Sequence, residues 1–514
     1  MSKTLKDLLI ALSLASLCFM SGWRVLLNPL HYTYYHWKSH PGFIEFAALV
    51  ANVLILGVLF WGAMTLARRS GKSWLVELAR WVFLSALLIP INNLRLQFFD
   101  PLASANANRT GYVLFLLPFL LLVLLAVVLK RRRVQIIRGA SVVVLILFPF
   151  FLIALFQGAW MTFKYRNYAE LASKESTAPA LNSSRQNPPR VVWLVFDELD
   201  QRMAFAERPA GLELKEFDRL RSESIFAGNA YAPETVTLLS MPALIIGKSI
   251  SNALPENPNE LTLTLREGNQ QVGWSTEPNI FAAARAEGFD TALVGWYHPY
   301  CRVIGSSLTS CFWQPVVDAI SPLRGEPSLT KSMYHWGETA LFAIPGMFRV
   351  FKSAYDSERC EAHTEEHLFI LEQAKVAARK REYGLTLLHF PIPHHPFIYD
   401  RRQGAFSSSP DRTYEDNLVL TDRTLGEIRR EMETAGLWDG TTVIVSSDHY
   451  WRTNPNGTTD QRIPFILKLA GQKQGVAYDS KFSTVLTYEL IRGVLKGELT
   501  NPESVTQWLD RFKQ

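Results

Sequence analysis

Five apolar stretches crowd the first third of the chain, at about residues 5–27, 43–67, 74–93, 111–130 and 139–160. Each approaches the roughly 20 residues that an α-helix needs to cross a bilayer, so they read as a bundle of membrane-spanning helices. The third is the weakest, because Glu77 and Arg80 lie near its start. It either begins later or turns those charges toward the bundle interior, and four spans is the alternative count.

Basic residues order the loops. Lys3 and Lys6 precede the first stretch, Arg68, Arg69 and Lys72 follow the second, and Lys130, Arg131, Arg132, Arg133 and Arg138 crowd the fourth loop. The alternate loops carry only Arg24 with Lys38, and Arg95 with Arg109. An excess of Lys and Arg marks cytoplasmic loops, so the amino terminus is expected inside and everything after about residue 160 outside. The expected location is the inner (cytoplasmic) membrane, multi-pass, with a periplasmic or extracellular carboxyl-terminal domain. The first stretch has a signal-like basic start but ends on no small-x-small site, and is read as a retained span. The net charge of +6 comes mostly from these flanking residues. The remainder shows no basic motif interleaved with aromatics, so no nucleic-acid partner is expected.

Residues 161–190 contain KESTAPALNSSRQNPPR, a linker composition. The division is therefore a transmembrane domain over 1–160, a linker over 161–190 and a soluble domain over 191–514. In that last part apolar runs alternate with amphipathic segments. NIFAAARAEGFD predicts a helix ending at Gly288, followed by the strand TALVGW. DNLVLTDRTLGEIRREMETAGLWDG predicts a longer helix, followed by TTVIVSSDH. Such alternation predicts an α/β fold with a mainly parallel sheet covered on both faces.

Two of the apolar runs end on metal-ligand side chains: VVWLVFDELD on Asp197 and Glu198, and VIVSSDHYW on Asp448 and His449. In open α/β sheets ligands gather outside the carboxyl ends of the strands, so two such ends can build one site. Between them, YAPETVTLLSMPALIIGK carries Thr235, Thr237 and Ser240, and a threonine hydroxyl becomes a useful nucleophile when a metal activates it. A third run, LTLLHFPIPHHPF, leads into His389, His394 and His395, and TALVGWYHPY places His298 after a strand.

This constellation resembles the alkaline phosphatase and sulfatase superfamily, and within it the membrane-anchored branch of phosphoethanolamine transferases and lipoteichoic acid synthases. The resemblance implies that Asp197, Thr237, Asp448 and His449 hold a divalent metal and that Thr237 takes the transferred phosphoryl group. Thr237 fits because Thr237-Leu238-Leu239-Ser240-Met241-Pro242 reproduces the branch's T-x-x-S-x-P; Thr235 does not. The sulfatase motif C/S-x-P-x-R does not occur near this position. His394, by its place in H-x-x-x-P-H-x-P, matches the branch's substrate or second-metal histidine, with His395 the less favoured choice. The chain departs from the branch after the Asp-His pair, where YWRTNPNGTTDQRIPF has no histidine. Gln461, Arg452 or Arg462 would occupy that neighbourhood, and guanidinium suits phosphate. Glu198, Ser240, His298, His389 and His395 are left as substrate-contacting or supporting residues, with cap or packing roles as the plain alternatives.

The expected activity is metal-dependent phosphoryl-group transfer through a covalent phospho-threonine, on a lipid headgroup or an envelope phosphodiester. His394 would orient the substrate or protonate the leaving oxygen. Mixed histidine and carboxylate donors favour zinc, then manganese. Membrane lipids, and a lipid or glycan substrate at the outer surface, are the expected partners. A membrane-bound phosphodiesterase or sulfatase-like hydrolase is the alternative, and a non-catalytic exported binding module a further one. In an oxidising compartment Cys301 and Cys311 would pair and leave Cys360 over; three reduced thiols is the other reading.

Overall fold

The structure, a computed structural model, describes residues 2–27, 35–36, 42–103, 133–167, 170, 175–181, 188–316, 328–344, 347–409, 411–452 and 460–512. The expected span 111–130 and the basic residues Lys38, Arg109 and Lys130 to Arg132 lie outside them. The chain forms two compact units. One comprises Met1–Pro29, Pro41–Asn167 and Ile320–Ser353; the other comprises Leu30–His40, Tyr168–Ala319 and Ala354–Gln514.

The first unit is helical. Phe43–Arg69, Ser73–Arg95 and Val134–Lys164 are long and apolar enough to cross a membrane, and Lys3–Cys18 with Met20–Leu27, bent by 68°, makes a fourth if the pair is one span. Small residues set the helix spacing. A Cβ on Gly57 would come within 2.7 Å of Leu12, and one on Gly158 within 2.7 Å of Phe46. The Ser13 hydroxyl donates to the Val144 carbonyl at 2.7 Å. Leu59, Leu66 and Phe156 are exposed on the outside of these helices, a surface suited to acyl chains. The division at residues 160 and 190 misses one element here. The helix Leu329–Phe342 belongs to this unit, since Trp336 Nε1 donates to the Glu45 carbonyl at 3.0 Å and Asn52 Nδ2 to the Met333 carbonyl at 2.8 Å. The second departure is Leu30–His40, which groups with the other unit.

The second unit is built on β1 (Val191–Asp197), β2 (Ile225–Tyr231), a small antiparallel sheet of β3 (Ile250–Asn257), β4 (Glu260–Leu265) and β5 (Gln271–Gly273), then β6 (Asp290–Trp296), β7 (Ser310–Gln314) and β8 (Tyr383–Pro393). The short pair β9 (Tyr399–Asp400) and β10 (Ala405–Phe406) precedes β11 (Thr442–Ser447), β12 (Arg462–Lys468), β13 (Val476–Tyr478) and β14 (Phe482–Ser483). The main sheet runs β13-β2-β12-β11-β1-β8-β6-β7, with β14 against β2. It is mostly parallel: β11, β1, β8, β6 and β7 pair in parallel, and β12 is antiparallel to both its neighbours.

Every residue of β1 is buried, as expected of a strand covered on both faces. Period-two alternation divides its side chains between two cores. Val191, Trp193 and Val195 join Leu385, Leu387 and Ile444 on one face. Val192, Leu194 and Phe196 join Leu388, Phe390, Val443 and Val445 on the other. The first face is covered by helices Thr237–Ile246, Ile280–Ala286 and Thr487–Leu495, the second by Lys215–Ser222, Met347–Ala378 and Tyr414–Thr434.

Candidate active site

β1 lies inside the parallel run, flanked by β11 and β8, so three adjacent strands end at the same edge. β1 ends on Asp197; β11 runs directly into Asp448 and His449; β8 runs into His394 and His395. The register between β1 and β8 shifts after Phe196, pairing Asp197 with Pro393. The His394 N–H then donates to the Asp197 carbonyl at 3.1 Å. Ser447 straps the two other ends together: its hydroxyl lies 2.8 Å from the Phe196 carbonyl and 2.7 Å from the His449 carbonyl, and it accepts the Leu199 N–H at 2.8 Å.

Thr237 arrives from the first core, at the first position of the helix Thr237–Ile246. The preceding Val236 is extended and offers no side-chain cap, so the positive end of the helix dipole meets the threonine. Ser240 donates to the Glu234 carbonyl at 2.8 Å, which ties the approach loop to the helix. The Thr237 hydroxyl is 2.7 Å from Asp448 Oδ2 and 3.2 Å from His449 Nε2. His449 Nε2 is also 3.5 Å from Asp197 Oδ1. His449 Nδ1 lies 3.0 Å from the Tyr450 carbonyl. A carbonyl only accepts, so Nδ1 carries the proton and Nε2 presents a bare lone pair to the site, the orientation that metal-ligating histidines adopt.

The charge balance calls for a cation. Asp197 is buried and both its carboxylate oxygens accept no hydrogen bond. Burial, with the negative charges of Asp448 and Glu198 beside it, pushes its carboxyl well above the usual range. Burial likewise depresses His449. Asp197, Asp448 and His449 bring ligand atoms within 4.8 Å of one another, and the Thr237 oxygen completes a mixed oxygen and nitrogen set that fits a divalent ion.

A second group, Glu198, His394 and His395, also converges within 4.8 Å. Glu198 sits in the left-handed region at φ 63°, a conformation that costs roughly 1–2 kcal/mol for an L-residue. The Tyr414 hydroxyl holds it by donating to its carbonyl at 2.6 Å. Burial raises its carboxyl to about 7, although the Arg452 guanidinium at 3.1 Å pulls the other way. His394 Nδ1 donates to the His395 carbonyl, which leaves Nε2 bare. Burial, then the neighbouring His395, His363 and His449, holds His394 well below its ordinary value, and burial brings His395 to about 4.

Thr237, Asp197, Asp448, His449, Glu198, His394, His395 and Arg452 thus come together. Thr235 is exposed outside the site. Arg462 instead pairs with Asp460 at 2.6 Å. His389 is buried in the sheet with Nδ1 3.0 Å from the Tyr300 hydroxyl. His298 meets the backbone of Thr237, its Nε2 lying 3.1 Å from the carbonyl. Ser447 and Tyr414 were missed in the sequence, as was His363 on the helix Met347–Ala378, where Glu366 holds its Nδ1 at 3.0 Å. His363 and His394 both pack on Trp296. A buried histidine followed three residues later by glutamate was the available signal for it. Cys301 and Cys311 form a disulfide, and Cys360 is free and buried.

No curated protein matches the chain. Among solved structures, a phosphonate monoester hydrolase of Agrobacterium radiobacter is similar at 15% identity and TM-score 0.38, over 60% of this chain and 74% of that one. The sulfatase PsFucS1 from Pseudoalteromonas sp. is similar at 18% identity and TM-score 0.40, over 60% of this chain and 68% of that one. A protein of the alkaline phosphatase superfamily from Vibrio parahaemolyticus is similar at 13% identity and TM-score 0.38, over 64% and 74%. The sulfatase family model matches residues 189–486, more than half of the chain and a span that contains Asp197, Thr237, Asp448 and His449. The protein belongs to the sulfatase family.

Proposed function

We propose that the protein is a membrane-anchored, metal-dependent phosphoryl-group transferase that uses Thr237 as nucleophile on a lipid headgroup or envelope phosphodiester. The observation that carries this reading is the buried Thr237 hydroxyl, 2.7 Å from a carboxylate and 3.2 Å from a bare imidazole nitrogen at a helix amino terminus. A threonine bears a methyl group on Cβ and cannot be oxidised to an aldehyde, so a formylglycine is not available here and the intact hydroxyl is the reacting group.

A divalent ion on Asp197, Asp448, His449 and Thr237, zinc before manganese, would supply Lewis-acid stabilisation of the alkoxide and of the charge on the transferring group. Asp448 Oδ2 receives the Thr237 proton. The Thr237 oxygen bonds to phosphorus as the ester P–O bond breaks, and the leaving alkoxide takes a proton from water and departs as the alcohol. In the second displacement the acceptor hydroxyl attacks phosphorus, the bare Nε2 of His394 takes the acceptor's proton, and the bond to Thr237 breaks as the threonine oxygen regains its proton from Asp448 Oδ2. The tautomer of His394 therefore suits a base better than the acid that protonates the leaving oxygen. Arg452 and the Glu198-His394-His395 group face the same region and suit the anionic oxygens.

The apolar helices of the first unit support a substrate at a membrane surface, with the second unit outside. A hydrolase of phosphate or sulfate esters is the second reading, favoured by the family match itself; water then replaces the acceptor. Intact-mass and peptide mass spectrometry of the full-length protein after exposure to its native membranes tests the first reading. A phosphoryl-containing adduct on Thr237 is expected. An unmodified Thr237, together with release of free phosphate or sulfate from an ester, assigns the hydrolase instead.

A further inference from the structure

The hydrogen bonds behind Thr237 lead to a distant part of the chain. His298 Nε2 lies 3.1 Å from the Thr237 carbonyl, so Nε2 is the donor. In the neutral ring Nδ1 then holds the lone pair, and it faces the Tyr35 hydroxyl at 3.1 Å. Tyr35 donates. Both residues are fully buried, with the Trp274 ring set edge-on against His298 at 5.0 Å. The next residue, His36, donates from Nδ1 to the Tyr297 carbonyl at 2.8 Å. Tyr297 has φ 76°, a left-handed backbone that persists only where its surroundings hold it. Arg302 Nη2 donates to the Tyr35 carbonyl, and the Cys301–Cys311 disulfide ties the same turn to β7.

We propose that Tyr35 and His36, from the segment between the first and second apolar stretches, are positioning residues for the nucleophile, acting through His298 and Tyr297 on the first turn of the Thr237 helix. The inference rests on Thr237 being the nucleophile. The Tyr35 hydroxyl selects the His298 tautomer. Without it Nδ1 is a buried acceptor with no donor, an unfavourable state for a desolvated lone pair. Moving the proton to Nδ1 relieves that cost but turns a bare Nε2 toward the Thr237 carbonyl, two lone pairs face to face. The helix start must then shift, and the hydroxyl with it. A small displacement of a reacting group is enough to slow chemistry by about a hundredfold. The arrangement makes turnover by the sulfatase-family unit depend on two residues that precede its family match by some 150 positions.

The test uses the full-length protein in detergent, with Tyr35→Phe, His298→Gln and the double variant. p-Nitrophenyl phosphate and p-nitrophenyl sulfate are the probes. Expected in Tyr35→Phe are a fall in kcat of about tenfold or more with KM within about twofold, and faster amide exchange confined to Leu238–Met241 in hydrogen–deuterium exchange. Adding Tyr35→Phe to His298→Gln should cost little more, because the two act as one chain. Unchanged kcat and unchanged exchange in Tyr35→Phe would overturn the proposal. So would a change confined to KM, or faster exchange spread over the whole second unit, which would make Tyr35 a general packing residue. If Thr237→Ala keeps its activity, the nucleophile assignment fails; if neither probe turns over, the exchange result alone decides the Tyr35 to Thr237 link.

Discussion

Thr235 and Thr237 carry the same hydroxyl two residues apart, and only the helix start separates their fates. Thr235 is exposed in the approach loop, whereas Thr237 begins the helix and faces Asp448 and His449. Thr237→Ala is expected to lower turnover of either nitrophenyl ester by about a thousandfold or more, since no hydroxyl remains to attack. Thr235→Ala should stay within about threefold. Equal losses in the two variants would remove covalent threonine catalysis. The clustering of Asp197, Asp448 and His449 was legible in sequence because each ends an apolar run and so marks a strand terminus. Ser447 and Tyr414 were not, because they act by bonding backbone carbonyls across strands, and hydroxyls that do so leave no pattern of their own. Arg462 shows the converse: its guanidinium suits phosphate by type, but Asp460, two residues away, satisfies it first.

At the scale of elements, periodicity carried the second unit. The helix read from NIFAAARAEGFD is Ile280–Ala286, with Gly288 in the left-handed region, and TALVGW lies in β6. The long amphipathic segment is Tyr414–Thr434, followed by β11. The Thr237 helix was harder to delimit, because an apolar run that is buried all round has no polar face to show the helical period. Its end is set by Gly247 at φ 69°, whose N–H returns to the Ala243 carbonyl at 2.9 Å. A Cβ there would lie 2.6 Å from the Tyr488 ring. Gly247→Ala therefore meets both the left-handed penalty of roughly 1–2 kcal/mol and a clash with a packed aromatic ring. A drop in melting temperature of several degrees is expected, with kcat also reduced because the same helix holds Thr237 at its other end. An unchanged melting temperature would mean that the helix end repacks without strain.

At the scale of the whole molecule, contiguous division of the chain was the reading that gave way. Tyr35 and His36 belong to the second unit and Ile320–Ser353 to the first, and neither exchange could be read from composition. Tyr35 is one aromatic among Tyr32, Tyr34 and Trp37 between apolar stretches, with nothing in its neighbourhood to single it out, and Leu329–Phe342 is too polar to mark itself as part of a membrane bundle. The second unit also encloses many neutral imidazoles, which sets its response to acid. His367 is the cleanest case: it lies buried beside Phe390 and Phe406, Nδ1 accepts no hydrogen bond, and burial, followed by the positive influence of His363, lowers it to about 3. A base whose folded pKa lies below its unfolded value of 6.5 contributes its full stability above pH 6.5. That stability is lost progressively as pH falls toward 3, because only the unfolded chain takes up the proton in that window. The slope is about 1.4 kcal/mol per pH unit for one site, or about 2 kcal/mol by pH 5. Asp422, raised to about 6 by burial, works in the opposite sense: it is held neutral in the fold and favours folding as pH drops from 6 toward 3.8. A difference between variants cancels this opposing group. The stability of His367→Phe relative to the parent is therefore expected to improve by about 2 kcal/mol between pH 7.5 and pH 5, measured as unfolding midpoints of the full-length protein in detergent. Parallel pH profiles in the two proteins would show that His367 is protonated, or reached by water, in the folded state.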